Sequence, residues 1–432
     1  VFRPLDDRQR CSRLIVALIL VLALAVRIGW SIGRPTDEAS LANLPDQVEY
    51  LSLAKSLLAG NGLQMVDPRF NDTVQAFRMP GYPVFCAALR GDLSWIRIAQ
   101  AILDASTVLA TLWLARRWLS PMIAYLAALI VALDPIQIYF SSLILSETLF
   151  VTLLTWGVAC LAHGRSPMAR GSGAATWWGG IVLLILSIYV RPSALLFPVL
   201  LAGASVLHEH GTIHFKAGRR VPVLTLVALL TAIALLPWAI RNRTLLGEWV
   251  FTTTNDGFTL YDAWNADAVG GSDQSGLARL PLLSGLSETQ RSRYLREIAF
   301  EQLRESPARM FRNLPRNLGR LWTPWPLSAE FGAKREYVIG AAAHALPLFV
   351  LAMVGLLFRS TIPRGAKVLL FTPILIVTIS HALTLGSLRY RMPIHPELAV
   401  LAAAALVWQR HTGQYEEAAE PVGHDQEAGD PA

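Results

Sequence analysis

Leu14-Ile15-Val16-Ala17-Leu18-Ile19-Leu20-Val21-Leu22-Ala23-Leu24-Ala25-Val26 contains no polar side chain. With the flanking residues to Gly33 it reaches the ~20 apolar residues that a helix needs to cross a bilayer core. Arg3, Arg8, Arg10 and Arg13 precede it, as in a signal sequence. The block is longer than an h-region, carries Arg27 and lacks a small-x-small cleavage site, so it reads as a retained anchor.

Further blocks of the same kind follow. By a hydropathy window, ten segments emerge at roughly 13–33, 94–115, 120–140, 145–163, 176–190, 193–207, 221–240, 337–358, 366–386 and 394–410. Between the fifth and sixth, Arg191-Pro192 combines a charge with a helix breaker and predicts a turn. Composition agrees: the 432 residues are 53% hydrophobic and 16% charged, against about 25% charged in soluble chains. The fold class is therefore an all-α polytopic membrane protein with about ten transmembrane helices.

The net charge of +7 does not indicate nucleic acid, because the basic residues sit between the apolar blocks. With a cytoplasmic amino terminus, one set of alternate loops carries Arg116 and Arg117; Arg165 and Arg170; Lys216, Arg219 and Arg220; and Arg359, Arg364 and Lys367. That is the cytoplasmic side by the positive-inside rule. Residues 1–12 form a cytoplasmic tail, 13–410 the membrane domain, and 411–432 an acidic cytoplasmic tail of disordered composition. Cys11, Cys86 and Cys160 lie far apart and suggest neither a disulfide framework nor a metal site.

Two long segments, about 34–93 and 241–336 by the same window, face the exoplasm. In the first, Gln47 to Leu58 is patterned as a helix that ends before Gly60 and Gly62. In the second, Ser287 and Gln290 have capping-box spacing, and Ser306-Pro307 starts another helix that runs to Trp322. Tyr294, Ile298, Phe300 and Leu303 recur at helical spacing among charges, which predicts a helix lying along the membrane surface. No internal repeat is present, and the two long loops fall in non-corresponding places, which counts against the inverted-repeat plan of many transporters.

The unusual charges collect on the exoplasmic side: Asp46, Glu49, Arg78, Asp134, Glu147, Arg191, Arg241, Arg243, Arg389 and Arg391. Positive-inside asymmetry should deplete arginine there. A carboxylate ringed by arginines at a lipid–water boundary suits an anionic amphiphile, since guanidinium binds phosphate through two parallel N–H groups. Each residue also has a plainer reading. Arg78 suits a loop ion pair, Arg191 and Arg27 suit side chains reaching to the boundary, and Glu147 suits a first-turn acid. His381 and His395 have no evident acid to orient them and read as structural.

Six stretches carry a resemblance: Leu44-Pro45-Asp46-Gln47-Val48-Glu49-Tyr50 with Ala54 and Gly60-Asn61-Gly62; Arg78-Met79-Pro80-Gly81-Tyr82-Pro83; Leu145-Ser146-Glu147; Arg191-Pro192-Ser193; Pro237-Trp238-Ala239-Ile240-Arg241-Asn242; and Arg389-Tyr390-Arg391-Met392-Pro393. In this order the chain resembles the GT-C superfamily of integral-membrane glycosyltransferases, in its bacterial protein mannosyltransferase-like and lipid A aminoarabinose transferase-like branch. The resemblance implies an inverting transferase of the bacterial inner membrane, active at the periplasmic face. Its donor would be a polyprenyl-phosphate sugar and its acceptor a cell-envelope glycan, lipid or protein. Asp46 corresponds to the catalytic acid. The substrate-binding set is Glu49, Tyr50, Arg78, Tyr82, Glu147, Arg191, Arg241, Arg389 and Arg391, with Arg78, Arg389 and Arg391 at the donor phosphate. Many relatives carry a second acid after the catalytic Asp, where this chain has Gln47. No cofactor is called for, and a divalent cation stays open.

Chemistry independent of the family points the same way. Cleaving a sugar–phosphate bond develops negative charge on the leaving phosphate, which fixed arginines stabilise. A carboxylate on the opposite face of the sugar takes the acceptor's proton. The competing readings are a lipid-linked sugar flippase or transporter, a lipid-to-polymer ligase, and a non-enzymatic scaffold. Charges lining helix middles would favour the flippase, whereas here they gather at one face. Acceptor choice falls to residues 251–285, with Asn255, Asp256-Gly257, Asn265 and Gly270-Gly271.

Overall fold

The computed structural model describes residues 7–165, 171–209, 220–327, 334–358 and 361–407. The chain begins with α1 (Asp7–Ile32), α2 (Pro45–Leu58), a two-stranded antiparallel hairpin of β1 (Met65–Asp67) and β2 (Asp72–Val74), and α3 (Gly81–Ala88). Then come α4 (Leu93–Arg116), α5 (Pro121–Ala132), α6 (Pro135–Ser141), α7 (Glu147–His163), α8 (Ser172–Val190), α9 (Phe197–Glu209) and α10 (Arg220–Leu246). The second long loop carries α11 (Asp256–Trp264), α12 (Glu288–Glu305) and α13 (Pro307–Leu321). The last elements are α14 (Arg335–Leu357), α15 (Arg364–Leu383), the single turn α16 (Leu388–Arg391) and α17 (His395–Ala405).

Every apolar segment expected from the sequence contains a helix. Among the described residues six are long and apolar enough to cross a membrane alone (α1, α4, α8, α10, α14 and α15), and α5 and α6 reach that length only together, across a 51° bend. The chain is a polytopic integral membrane protein. The remaining apolar helices are shorter: α7, the stretch Pro192–Leu207, and the 11-residue α17. The acidic tail, Arg170, Lys216, Arg219 and Arg359 lie outside the described residues.

The α5–α6 bend follows from its sequence. Pro135 has no N–H for the continuing helix and occupies the first position of α6, while the Asp134 carboxylate accepts from the amides of Ile136 and Gln137. The bend takes from the last carbonyls of α5 the i+4 amides that a continuous helix would offer. Arg27 takes up two of these carbonyls: it is fully buried, donates to Val131 O and Ala132 O, and pairs with Asp104 of α4 at 2.6 Å. The reading of Arg27 as a side chain reaching to the boundary is therefore corrected. A carboxylate on the neighbouring helix and helix-end carbonyls satisfy it inside the bundle.

One large apolar core joins the membrane helices, and a second, smaller one lies in the long loops. There Met65, Val74 and Phe77 of the first loop meet Phe258, Tyr261 and Leu295 of the second. Tyr294 and Ile298 pack against this cluster, and Phe300 meets Trp264 edge to face. The stripe expected to lie on the membrane is thus partly spent on packing the two loops together. Ser287 and Gln290 form the anticipated capping box.

Candidate active site

Asp46 stands in the first turn of α2, directly after Pro45. Proline presets the helical backbone at that position, and an acid there is favoured by the N-terminal end of the helix dipole. Glu49 follows at i+3 and shares the same face. Arg78, from the end of the first loop, bridges the two: Nη2 donates to Asp46 Oδ1 at 2.5 Å and Nε to Glu49 Oε2 at 2.7 Å. Arg389 of α16 donates Nη1 to the other Asp46 oxygen, Oδ2, at 2.6 Å and its Nε to Glu147. Glu147, at the start of α7, also pairs with Arg191 at 2.7 Å. The result is an alternating row, Glu49–Arg78–Asp46–Arg389–Glu147–Arg191, of three acids and three arginines with no net charge.

Burial alone would raise the Asp46 carboxyl, but Arg78 and Arg389, with Arg191 behind them, outweigh it and hold it well below the usual carboxylate range. Burial alone would lower Arg78 and Arg389; their carboxylates instead hold both above the ordinary arginine value. The Asp46 side chain remains 26% exposed and each arginine of the row 16–17%, so all four keep a solvent-accessible face. Glu147 is fully buried, and its ion-pair partners among the described residues are Arg191 and Arg389.

Aromatic rings floor the row. Arg78 lies over Tyr50 at 5.4 Å and Phe77 at 5.3 Å, and Arg191 over Tyr390 at 5.6 Å. The Tyr50 hydroxyl donates to Ser146 Oγ, and Tyr82, fully buried beneath it, donates to Gln100 Oε1 at 2.6 Å. Tyr82 is therefore support for Tyr50, with which it packs edge to face.

The structure does not bring Arg241 and Arg391 into this row. Arg241 donates to Gln75 O and Leu63 O, pinning the first loop to α10. Arg391 is fully buried: Nη1 donates to Leu321 O and Thr323 O, and Nε to His395 Nε2. His395 in turn donates Nδ1 to Asp134 at 2.5 Å, so an acid does orient it. Asp134 belongs to this buried chain and the α6 cap. Backbone carbonyls exposed by loop geometry claim both arginines, and sequence spacing does not reveal such acceptors.

Two further residues, to which the sequence assigns no supporting role, brace the row. Glu288 accepts from the amides of Gln75 and Ala76 and from the Thr254 hydroxyl. Together with Arg241 on Gln75 O, it fixes the strand that delivers Arg78; its place inside the capping box was its sequence signal. Gln47 is buried and accepts from the Ile144 amide at 2.9 Å. It locks α2 onto the 141–146 segment that leads to Glu147. The second loop is anchored nearby: Gly386 N donates to Gly270 O, and Trp264 Nε1 to Leu383 O. Both bonds fall on the connection entering Arg389. Among the described residues, no three or more His, Cys, Asp or Glu side chains converge as a metal-holding set. Asp46 and Glu49 are joined by an arginine instead.

No protein-family profile matches the chain, and no curated protein matches its sequence. Solved structures do match its fold. The archaeal oligosaccharyltransferase AglB from Archaeoglobus fulgidus, in complex with an inhibitory peptide and a dolichol-phosphate, aligns over 92% of this chain at 15% identity with a TM-score of 0.56. ArnT from Cupriavidus metallidurans, bound to undecaprenyl phosphate, aligns over 91% at 16% identity with a TM-score of 0.50. The chain spans 50% of the length of the first and 59% of the second. The chain shares its fold with these two solved structures.

Proposed function

We propose that this chain transfers a sugar from a polyprenyl-phosphate donor to an acceptor at the exoplasmic face, with inversion, and that Asp46 is the general base. The observation that carries this reading is the grip of Arg78 and Arg389 on the two oxygens of a carboxylate that is still accessible. The fold similarity to structures that contain dolichol-phosphate or undecaprenyl phosphate supports a lipid-phosphate donor.

In this mechanism the row is a closed latch. A carboxylate held by two guanidiniums is a weak base, and an incoming phosphate finds no uncompensated charge. The phosphodiester of the donor displaces Asp46 from Arg78 and Arg389, which keep their charge and gain a two-pronged anion in exchange. Arg191 stands behind them through Glu147. Released, the Asp46 carboxylate takes the proton of the acceptor hydroxyl as its oxygen attacks the anomeric carbon. The sugar–phosphate bond breaks with its electron pair on the phosphate, and the arginines stabilise that charge. The acceptor enters under the second loop, whose residues 251–285 join the segment leading into Arg389 through Gly270 and Gly386. No step is routed through a metal.

The direct test incubates the purified protein in lipid with a panel of labelled polyprenyl-phosphate sugars and a broad acceptor mixture. Release of polyprenyl phosphate by wild type and its loss in Asp46→Asn is the expected result. Equal release from both removes Asp46 from the chemistry. Donor binding without turnover in either would replace the transferase with a lipid-linked sugar carrier.

A further inference from the structure

A second concave surface lies across the 141–146 segment from Asp46. It is a cavity of about 460 Å³ between α1, α6 and α14, within the size range of small-molecule sites. Val26, Ile136, Tyr139 and Ala341 are among its apolar lining residues, and Arg34, Lys334 and Glu336 stand at its rim. Arg34 follows the exoplasmic end of α1 and Lys334 precedes the exoplasmic end of α14, so the cavity is at the depth of the outer leaflet. Ile32 and Ile339, on the same two helices, are exposed apolar residues.

The cations are the informative part. The Arg34 guanidinium is held 5.3 Å from the Trp30 ring centroid and 4.7 Å from that of Tyr139, and Nε donates to Ser142 Oγ. Arg34 Nη2 and the Trp30 indole N–H are buried with no hydrogen-bond acceptor among the described residues. Neither Arg34 nor Lys334 pairs with a carboxylate among the described residues. That contrasts with the Asp46 row, where every arginine is matched by an acid. Two cations against the one acid Glu336, with two unsatisfied N–H donors above an apolar hollow, complement an anion with an aliphatic body. Here no carboxylate has to be displaced.

We propose that this cavity binds an anionic phospholipid of the outer leaflet, its acyl chain between α1, α6 and α14 and its phosphate on Arg34 and Lys334. It is a lipid site separate from the donor site at Asp46. Its inner wall ends at Leu388, the residue before Arg389, so the bound lipid packs against the turn that carries a phosphate-holding arginine.

The test reads lipid contact, not transfer, and so stands apart from the proposed reaction. The full protein is reconstituted in vesicles containing a phosphatidylglycerol with a photoreactive group in its acyl chain, or the matching phosphatidylcholine. Labelled peptides are then mapped. Phosphatidylglycerol is expected to label the Val26–Arg34 and Tyr337–Ala341 stretches at least about fivefold more than phosphatidylcholine, the worth of one cation at an anionic surface. Lys334→Gln should erase about that factor. Gly340→Trp should block labelling of the cavity. A side chain at Gly340 meets nothing within 4 Å at its first carbon, and a Tm equal to wild type is the control that this variant folds. Equal labelling by the two lipids, or labelling that survives both variants, overturns the proposal. Displacement of the label by excess polyprenyl phosphate would overturn its separateness and give the cavity to the donor's own chain.

Discussion

At the scale of single residues, Asp46 and Glu147 are the same chemical group in opposite circumstances. Asp46 is accessible and shared between two arginines that a substrate can recruit; Glu147 is sealed and holds its two for structure. In the proposed reaction Glu147 is a positioning residue. Glu147→Gln keeps an acceptor but removes the charge, and the donor KM should rise about tenfold, the worth of one charge-assisted hydrogen bond, with kcat changing less. Glu147→Ala leaves two arginines facing an uncompensated gap and should destabilise the fold by about 3–5 kcal/mol, read as a lowered Tm. A Gln variant with unchanged KM would remove Glu147 from donor binding.

The latch also predicts a pH signature. In the free protein the arginines hold Asp46 ionised well below the usual carboxylate value of about 3.9. Its contribution to stability is therefore present above that value and is lost only as pH falls through the depressed folded value. For the same reason the acid limb of kcat/KM, which reports free protein, should lie below the ordinary carboxylate range. With the donor phosphate sharing Arg78 and Arg389, burial of Asp46 is less fully offset and its carboxyl rises. The acid limb of kcat, which reports the complex, should then fall at higher pH than that of kcat/KM. Profiles recorded with a hydroxyl acceptor decide this: coincident limbs would mean that Asp46 is never released.

At the scale of elements, the membrane helices are joined by a few buried polar ties. Arg27 of α1 bonds Asp104 of α4 and the last carbonyls of α5, so one side chain fastens three helices. Asp104→Ala should cost about 3–5 kcal/mol by leaving Arg27 unpaired away from water. Replacing both partners, Arg27→Met with Asp104→Leu, should recover part of that loss. The remaining deficit measures the carbonyls of Val131 and Ala132. Denaturation in detergent micelles gives both numbers, and a double variant no more stable than Asp104→Ala would show that the unpaired Arg27 charge is not the source of the loss.

At the scale of the whole molecule, the proposed topology, drawn from the alternation of basic loops, puts the Asp46 row and the second loop on the exoplasmic side. Ser275 lies in the second loop, whereas the exposed Cys11 starts α1 at the other end. In intact right-side-out vesicles a membrane-impermeant maleimide should label a Ser275→Cys variant and spare Cys11 until the membrane is opened. The reverse pattern would invert the topology and with it the proposed direction of lipid access.

The sequence by itself determined the helices, their order and the accessible acid among arginines. Apolar runs, Pro135, Pro192 and the Ser287 cap act through local geometry and bilayer thickness, which are readable within a few residues. It also assigned Asp46, Glu49, Arg78, Glu147, Arg191 and Arg389 to one face, together with Asp134, Arg241, Arg243 and Arg391, because topology sorts charges by side and not by partner. What only the tertiary structure decided is which arginine serves which partner. Arg391 and Arg241 look like Arg389 and Arg78 in sequence, yet they end on the carbonyls of Leu321, Thr323, Gln75 and Leu63. Any residue can offer a carbonyl, and only a loop's path decides which ones lack partners. The same limit hid Arg27, Glu288 and the Asp134–His395 pair, whose partners lie tens to hundreds of residues away and meet only when the helices pack.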